Sequence, residues 1–329
     1  MNNNSLNERV VLVTGGAGYI GAHTCKELYN NGYLPISYDN LVYGHESAVK
    51  WGPFVKGDIN DRRKLENTIK EYKPGSVIHF AAYAYVGESV INPIKYYKNN
   101  VAGTLSLLDV MINHRINNIV FSSSCATYGI PEKLPITEEN ILNPINPYGI
   151  TKKIIEEMLK DFAYAYDTNF LALRYFNAGG ADPDSEIGEN HQPETHLIPN
   201  IISAALGKKE HIEVYGNDYE TDDGTAIRDY INVTDLAKAH VIALKKLEEK
   251  KMNMSLNLGT GIGTSVLEVI STVEEISGKE IKIKYCPRRE GDPPILIASP
   301  EKVKKELNWK AECSSIKEIV ETAWVWHQK

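Results

Sequence analysis

Thr14-Gly15-Gly16-Ala17-Gly18-Tyr19-Ile20-Gly21 decides how the rest of this chain is read. It follows directly on a β-branched, strand-like run, Arg9 to Thr14, and opens a helical stretch from Ile20 to Asn31. Gly15, Gly18 and Gly21 give a G-x-x-G-x-x-G spacing. Glycines there permit a tight turn, close backbone approach to a pyrophosphate, and close packing of helix on strand. The free N–H groups and partial positive charge of the helix start then face the anion. Asp39 ends the next strand-like run, Leu34 to Tyr38, 18 residues beyond Gly21. A carboxylate there can bind adenosine ribose hydroxyls and repels an additional phosphate, which favours NAD over NADP. Asp58, after Gly57, can approach the adenine similarly; a plain turn acid is the alternative reading.

Outward from that turn the first half alternates. Phe54 to Gly57 reads as a third strand, Arg62 to Tyr72 as a helix and Ser76 to Phe80 as a strand. Pro93 to His114 reads as a long helical stretch and Ile119 to Phe121 as a buried strand. A helix starting after Asn146-Pro147 and running to about Tyr166, then a strand from Leu171 to Phe176, continue the pattern. Such alternation predicts a parallel sheet covered by helices on both faces. Residues 178–195, rich in Gly, Asp, Pro, Glu and His, predict a long loop. Helical pieces at Leu197 to Leu206, Thr234 to Lys250, Val266 to Ser277 and Pro300 to Leu307 follow, with short strands at Ile212 to Tyr215 and Ile281 to Tyr285. The expected fold class is α/β. It comprises a doubly wound parallel-sheet Rossmann domain over residues 1–176 and a smaller mixed α/β C-terminal substrate domain over 177–329, closely packed and partly interleaved with the first.

The length of 329 residues exceeds the usual single domain. A formal charge of −7 and a pI near 5.8 argue against nucleic-acid affinity, which needs a basic surface. Met1 to Glu8 are polar and expected to fray, without the apolar core of a signal peptide. Apolar runs such as Val77 to Val86 are too short to span a bilayer, so no membrane partner is expected. Cys25, Cys125, Cys286 and Cys313 are scattered without metal-type pairing. They are expected as free thiols in a reducing cytoplasm, with no metal.

Chemistry concentrates at Tyr148-Gly-Ile-Thr-Lys152. Positions i and i+4 share a helix face, and an ammonium beside a phenol favours the phenolate. A tyrosine so tuned can take a proton from a sugar hydroxyl while a nicotinamide takes the hydride. Phe121-Ser122-Ser123-Ser124 closes a strand at its carboxyl end, where open α/β sheets hold ligands. A hydroxyl there can assist Tyr148; turn or cap serines are the plainer reading. Arg228 and Arg289 have the planar fork that suits phosphates, although most arginines make surface ion pairs. His79 reads as structural, and Trp324 and Trp326 as sealing the C-terminal helix.

VLVTGGAGYIGAHT, YDNL, GDI, HFAA with VGES, YYKNNVAGT, FSSSCATYG, NPYGITK, LRYFNAGGADP, DGTAIRDYINVTDLA, LNLGTG and RREGDPP with ELNW occur in order from about Arg9 to Trp326. Together they resemble the extended short-chain dehydrogenase/reductase family, in its UDP-sugar 4-epimerase branch. The resemblance implies an NAD site of Gly15, Gly18, Tyr19, Ile20, Gly21, Asp39, Asn40, Asp58, Ile59, Phe80, Ala81, Ala82, Asn99, Ser122, Tyr148, Lys152 and Phe176. It implies Tyr148, Lys152 and Ser124 as catalytic residues. Ser124, Tyr148, Asn177, His196, Leu197, Arg228, Arg289, Asp292 and Leu296 would meet the UDP-sugar. A cytoplasmic homodimer joined by a four-helix bundle is also implied, its helices drawn from the regions near Asn100 to His114 and Tyr148 to Tyr166.

Departures qualify this. Position 196 is His where many members carry Asn, and Ala84 replaces a lysine found near the cofactor in some. Leu296 stands where tyrosine narrows the sugar pocket and cysteine widens it, leaving UDP-N-acetylhexosamines open beside UDP-glucose and UDP-galactose. UDP-xylose and UDP-arabinose are open too, because UDP-pentose 4-epimerases use the same residues. Related dehydratases need an Asp-Glu pair after the serine or threonine, and related decarboxylases keep the Glu; Cys125-Ala126 supplies neither, which favours epimerisation. A non-catalytic NAD-sensing protein on the same fold is the reading from a different class.

Overall fold

A computed structural model describes residues 9–289 and 291–329. The expectation for Met1 to Glu8 lies outside the described residues. The chain forms strands β1 (Arg9–Thr14), β2 (Tyr33–Asp39), β3 (Phe54–Lys56), β4 (Ser76–His79), β5 (Asn118–Ser124), β6 (Asn169–Tyr175), β7 (Asn177–Gly179), β8 (Ile212–Tyr215), β9 (Ile227–Asn232), β10 (Asn253–Leu258), β11 (Gly263–Ser265), β12 (Ile283–Cys286) and β13 (Ile295–Leu296). Its helices are α1 (Tyr19–Asn30), α2 (Arg62–Tyr72), α3 (Val86–Ile91), α4 (Pro93–Tyr96), α5 (Gly103–Asn113), α6 (Pro147–Tyr166), α7 (Leu197–Ala205), α8 (Val233–Glu249), α9 (Val266–Ser277), α10 (Glu301–Leu307) and α11 (Ile316–His327).

Seven strands form one sheet in the order β10-β6-β5-β4-β1-β2-β3, with β5 through β3 paired in parallel. β1 lies in the middle, with Val13 opposite Ser37 and Ile78, so its apolar run is buried on both faces. Leu12, Ile36, Val77, Leu107, Ile119, Leu159 and Phe170 share one core there. The expected doubly wound sheet is thus present. Two smaller sheets follow: β11-β9-β13 with β7 on β9, and a β12-β8 pair. Their elements pack on a second core containing Ile201, Ile202, Val214, Val269, Val273, Ile319 and Val320.

The chain divides into two compact units, but not by a single cut at residue 176. The first takes the chain up to Ser123 with Ile150–Leu173 and Ala237–Ser255; the second takes Ser124–Gly149, Arg174–Leu236 and Leu256–Lys329. The returning segment belongs to the first unit because β10 extends its sheet beside β6.

The long helical stretch from Pro93 is also not one α-helix. Tyr97–Ala102 forms a π-helical turn between α4 and α5. Asn100, buried in that turn, donates to the Tyr83 carbonyl (3.0 Å) and to Thr151 Oγ1 (3.1 Å), and accepts from the Tyr83 N–H (2.9 Å). The wide turn is held by side-chain bonds. Among the described residues no helix is long and apolar enough to cross a membrane.

Candidate active site

In the first unit the glycine turn is closed by backbone contacts. The Gly15 N–H donates to the Tyr38 carbonyl (2.8 Å) and the Gly18 N–H to the Gly15 carbonyl (3.1 Å). Gly15 has φ +78°, and a Cβ on it would lie 2.7 Å from Ala81 N; one on Gly21 would lie 2.1 Å from the Gly15 carbonyl oxygen. Both positions therefore demand glycine. Gly18 caps α1 without any side-chain bond, and the positive end of the helix dipole lies at this start, where it favours an anion.

Asp39, buried at the end of β2, accepts from the Ala17 N–H (3.1 Å) and the Leu41 N–H (2.8 Å). Burial raises its pKa, and those two bonds offset only part of the rise. Asp58 resists the same burial effect: bonds from the Asn60 N–H and the Asn40 and Asn60 amides hold it below the usual carboxylate range. Ile59 is buried against Gly103. Phe80 packs on the His240 ring (4.7 Å), with Ala81 and Ala82 following it at the carboxyl end of β4. Asn99 lies within the π turn and its side-chain amide donates to Asn100 Oδ1 (3.0 Å). His79, tied to Thr14 and Thr104 and lowered to about 3 by burial and Lys152, stays neutral and structural. A glycine cradle at a bare helix start, a presented carboxylate and a second acid together fit a dinucleotide.

Lys152 lies one turn inside α6 and is buried. Its ammonium donates to the Ser122 carbonyl (2.6 Å) and sits 4.9 Å from the centre of the Phe121 ring. Burial lowers its pKa to about 7, opposed by Glu156 a further turn along. Glu156 accepts from Ser123 Oγ (2.5 Å) and Ser255 Oγ (2.9 Å) and is fully buried. Sequence reading missed Glu156. Its signal was the i+4 spacing from Lys152, obscured because most helical acids face water.

In the second unit Ser124 ends β5, accepts from the Ala126 N–H (3.1 Å), and is hydrogen-bonded to Tyr148. The expected lowering of the Tyr148 pKa is not what the protein alone produces. Burial raises it, Tyr175 adds to the rise, and the Ser124 bond lowers it only partly. A cation must therefore be added before this phenol ionises near neutrality. Cys125, pushed up to about 12 by burial, stays a thiol.

β9 and β13 bring three of the substrate candidates together. Arg228 stands opposite Leu296 in register and donates to Asp292 (2.5 Å). Arg289 instead lies over the Tyr215 ring (4.1 Å) on β8. Asn177 opens β7 opposite Tyr230, and Phe176 joins Tyr128, Ile136 and Ala298 in a small third core. His196 and Leu197 open α7, and the His196 Nδ1 atom is engaged by Glu189. Trp326 seals the end of α11 by donating to the Glu189 carbonyl (2.9 Å). All four cysteines are free.

A glycine cradle at a helix start on a parallel α/β sheet defines a dinucleotide-binding class of protein. The chain belongs to the NAD dependent epimerase/dehydratase family, whose model matches residues 11–259. It is 49% identical to a UDP-glucose 4-epimerase of Rhizobium leguminosarum bv. trifolii over 97% of each chain. The structure of UDP-glucose 4-epimerase from Brucella ovis in complex with NAD matches with a TM-score of 0.94 and 55% identity, covering 96% of this chain and 98% of that one. The enzyme from Bifidobacterium longum, in complex with NAD+ and UDP, matches with a TM-score of 0.93 and 42% identity, covering 97% and 98%.

Proposed function

We propose that this protein interconverts UDP-glucose and UDP-galactose by NAD-dependent epimerisation at C4, through a transient 4-keto sugar. The observation that carries the reading is the buried Ser124–Tyr148 hydrogen bond with Lys152 one turn further along α6, beside Cys125-Ala126, which offers no acid for elimination. When bound, NAD supplies a two-electron acceptor and donor for the sugar C4, and a cationic ring. Gly15, Gly18, Tyr19, Ile20 and Gly21 hold its pyrophosphate, and Asp39 its adenosine ribose, with Asn40, Asp58, Ile59, Phe80, Ala81, Ala82, Asn99, Ser122 and Phe176 around it. Tyr148 Oη takes the proton of the sugar 4-hydroxyl and later returns it. Ser124 shares that proton's hydrogen bond and keeps the hydroxyl aligned. Lys152 holds positive charge one turn from Tyr148, which favours the tyrosinate. Arg228 and Arg289 take the diphosphate, with Asp292 orienting Arg228, while Asn177, His196, Leu197 and Leu296 bound the sugar and uracil.

The protein acts in the cytoplasm, binds no nucleic acid, and assembles as a homodimer. Exposed Tyr97 and Leu105, in the π turn and α5, and Tyr164 on α6 support that pairing. The test is incubation of the isolated protein, without added NAD, with UDP-galactose, UDP-xylose and UDP-N-acetylgalactosamine in turn. UDP-galactose is expected to turn over fastest, and Tyr148→Phe to retain NAD while losing about 10²- to 10⁴-fold in rate. No interconversion of any of the three defeats the assignment.

A further inference from the structure

Four side chains converge in the second unit: Glu189, His191 and Glu194, which lie outside the chemistry above, and His196, which also borders the proposed substrate site. Glu189, His191, Glu194 and His196 each direct one potential ligand atom into a space where all four atoms lie within 4.8 Å of one another. They come from the irregular segment between the Ala181–Gly188 bridge and α7. Glu189 forms the buried floor, His191 and Glu194 are largely covered, and His196 is half exposed. His191 Nδ1 is 3.1 Å from Glu189 Oε1 and 3.7 Å from Glu194 Oε2. His196 Nδ1 touches the same Glu189 Oε1 and is 3.8 Å from Glu194 Oε1.

Two imidazoles thus aim the same ring nitrogen at the same carboxylate oxygen. Held by protons alone, both rings must present an Nδ1–H to that one oxygen, with ring centres only 5.3 Å apart. A divalent ion replaces both protons, because neutral imidazole and carboxylate are its natural ligands. The spacing suits one: tetrahedral zinc at roughly 2.0–2.2 Å from its ligands sets ligand–ligand edges of about 3.3–3.6 Å. Three of the four ion-pair separations, 3.1, 3.7 and 3.8 Å, lie close to those edges, while the His196–Glu189 contact is shorter than an edge and would have to open to admit the ion.

We propose that Glu189, His191, Glu194 and His196 bind one divalent transition-metal ion of the zinc type. Two nitrogens and two oxygens favour zinc over magnesium or calcium, which prefer all-oxygen sites. Four protein ligands make the site structural rather than catalytic. Its surroundings are built to match. The Glu189 carbonyl is fixed by Trp326, and a Cβ on Gly188 would lie 2.5 Å from that indole. The next residue, His327, has a buried Nε2 without a hydrogen-bond partner, in the field of Glu189 and Glu194. The ion would staple residues 189–196 in front of α7, near the end of α11. Scattered cysteines gave no hint of it, since the ligands are spaced Glu-x-His-x-x-Glu-x-His.

The test uses the untagged full chain, stripped with a chelator and then dialysed against zinc or magnesium. Elemental analysis is expected to find about one zinc and no magnesium per chain. Zinc at a hundredfold excess over its Kd should raise Tm by about 4 °C. His191→Ala and Glu194→Gln, checked for folding by circular dichroism, should each weaken zinc binding by at least about tenfold. A folded wild-type chain that retains less than about a tenth of an equivalent, with an unchanged Tm, overturns the proposal in favour of a metal-free histidinium clamp. Equal zinc retention by the folded variants overturns it as well.

Discussion

Glu156→Gln tests whether a buried carboxylate keeps the active-site lysine charged. Lys152 is buried with a pKa lowered to about 7, and Glu156 is the group that opposes the lowering. At a charge separation on the order of 6 Å, one unit charge is worth about 3 kcal/mol at an effective dielectric of 20. Removing that charge while keeping an amide for Ser123 and Ser255 should lower the Lys152 pKa further, by a free energy of that order. The ammonium is the active form, so activity is present below the Lys152 pKa and lost as pH rises through it. At pH 7 the charged fraction would fall from about a half to about a hundredth, so turnover should fall by roughly tenfold to fiftyfold. The assay is UDP-galactose turnover from pH 5.5 to 9, with NAD content and circular dichroism as controls. The alkaline limb should move to lower pH. A uniform loss at every pH, with the limb unmoved, would refute the electrostatic role and leave Glu156 a packing residue.

Lys152→Met should abolish turnover yet stabilise the fold. The folded value near 7 lies below the ordinary 10.5, so between them the unfolded chain binds more protons and this group makes stability rise with pH. Urea unfolding at pH 7 should show a gain on the order of 2–4 kcal/mol, and a less stable variant contradicts the burial argument. Asp39→Asn removes a charge while keeping one acceptor for the Ala17 and Leu41 N–H groups; NADP retention relative to NAD should rise at least about tenfold, and an unchanged ratio denies Asp39 that role. Gly15→Ala must place a Cβ against Ala81 at φ +78°, so it should cost about 1–3 kcal/mol in stability and empty the NAD site, whereas full NAD occupancy would contradict the cradle.

Much of the first unit was legible because its signals are local. The Arg9–Thr14 strand, the Arg62–Tyr72 helix and the Pro147–Tyr166 helix have the bounds that periodicity and proline predict. The Tyr148–Lys152 spacing was visible for the same reason. Long-range facts were not. Nothing near Asn253 announces that β10 joins the sheet of the first unit, because that pairing is set by a partner strand far back in the chain. Arg228 and Asp292 could each be named, but their ion pair across β9 and the turn before β13 needed the fold. Proximity in sequence also misjudged the tyrosine: the lysine four residues on was visible, whereas the burial that raises the phenol's pKa was not.

The π turn at Tyr97–Ala102 sets the phase of the helix that follows it. Such a turn carries one residue more than an α-helical turn. Deleting that residue would rotate everything downstream by about 100°. Leu107, Leu108 and Met111, now buried in the first core, would swing away from it. Asn100 would leave Thr151, the residue next to Lys152. Chain length at this point is therefore a structural constraint in its own right, independent of which side chains occupy it.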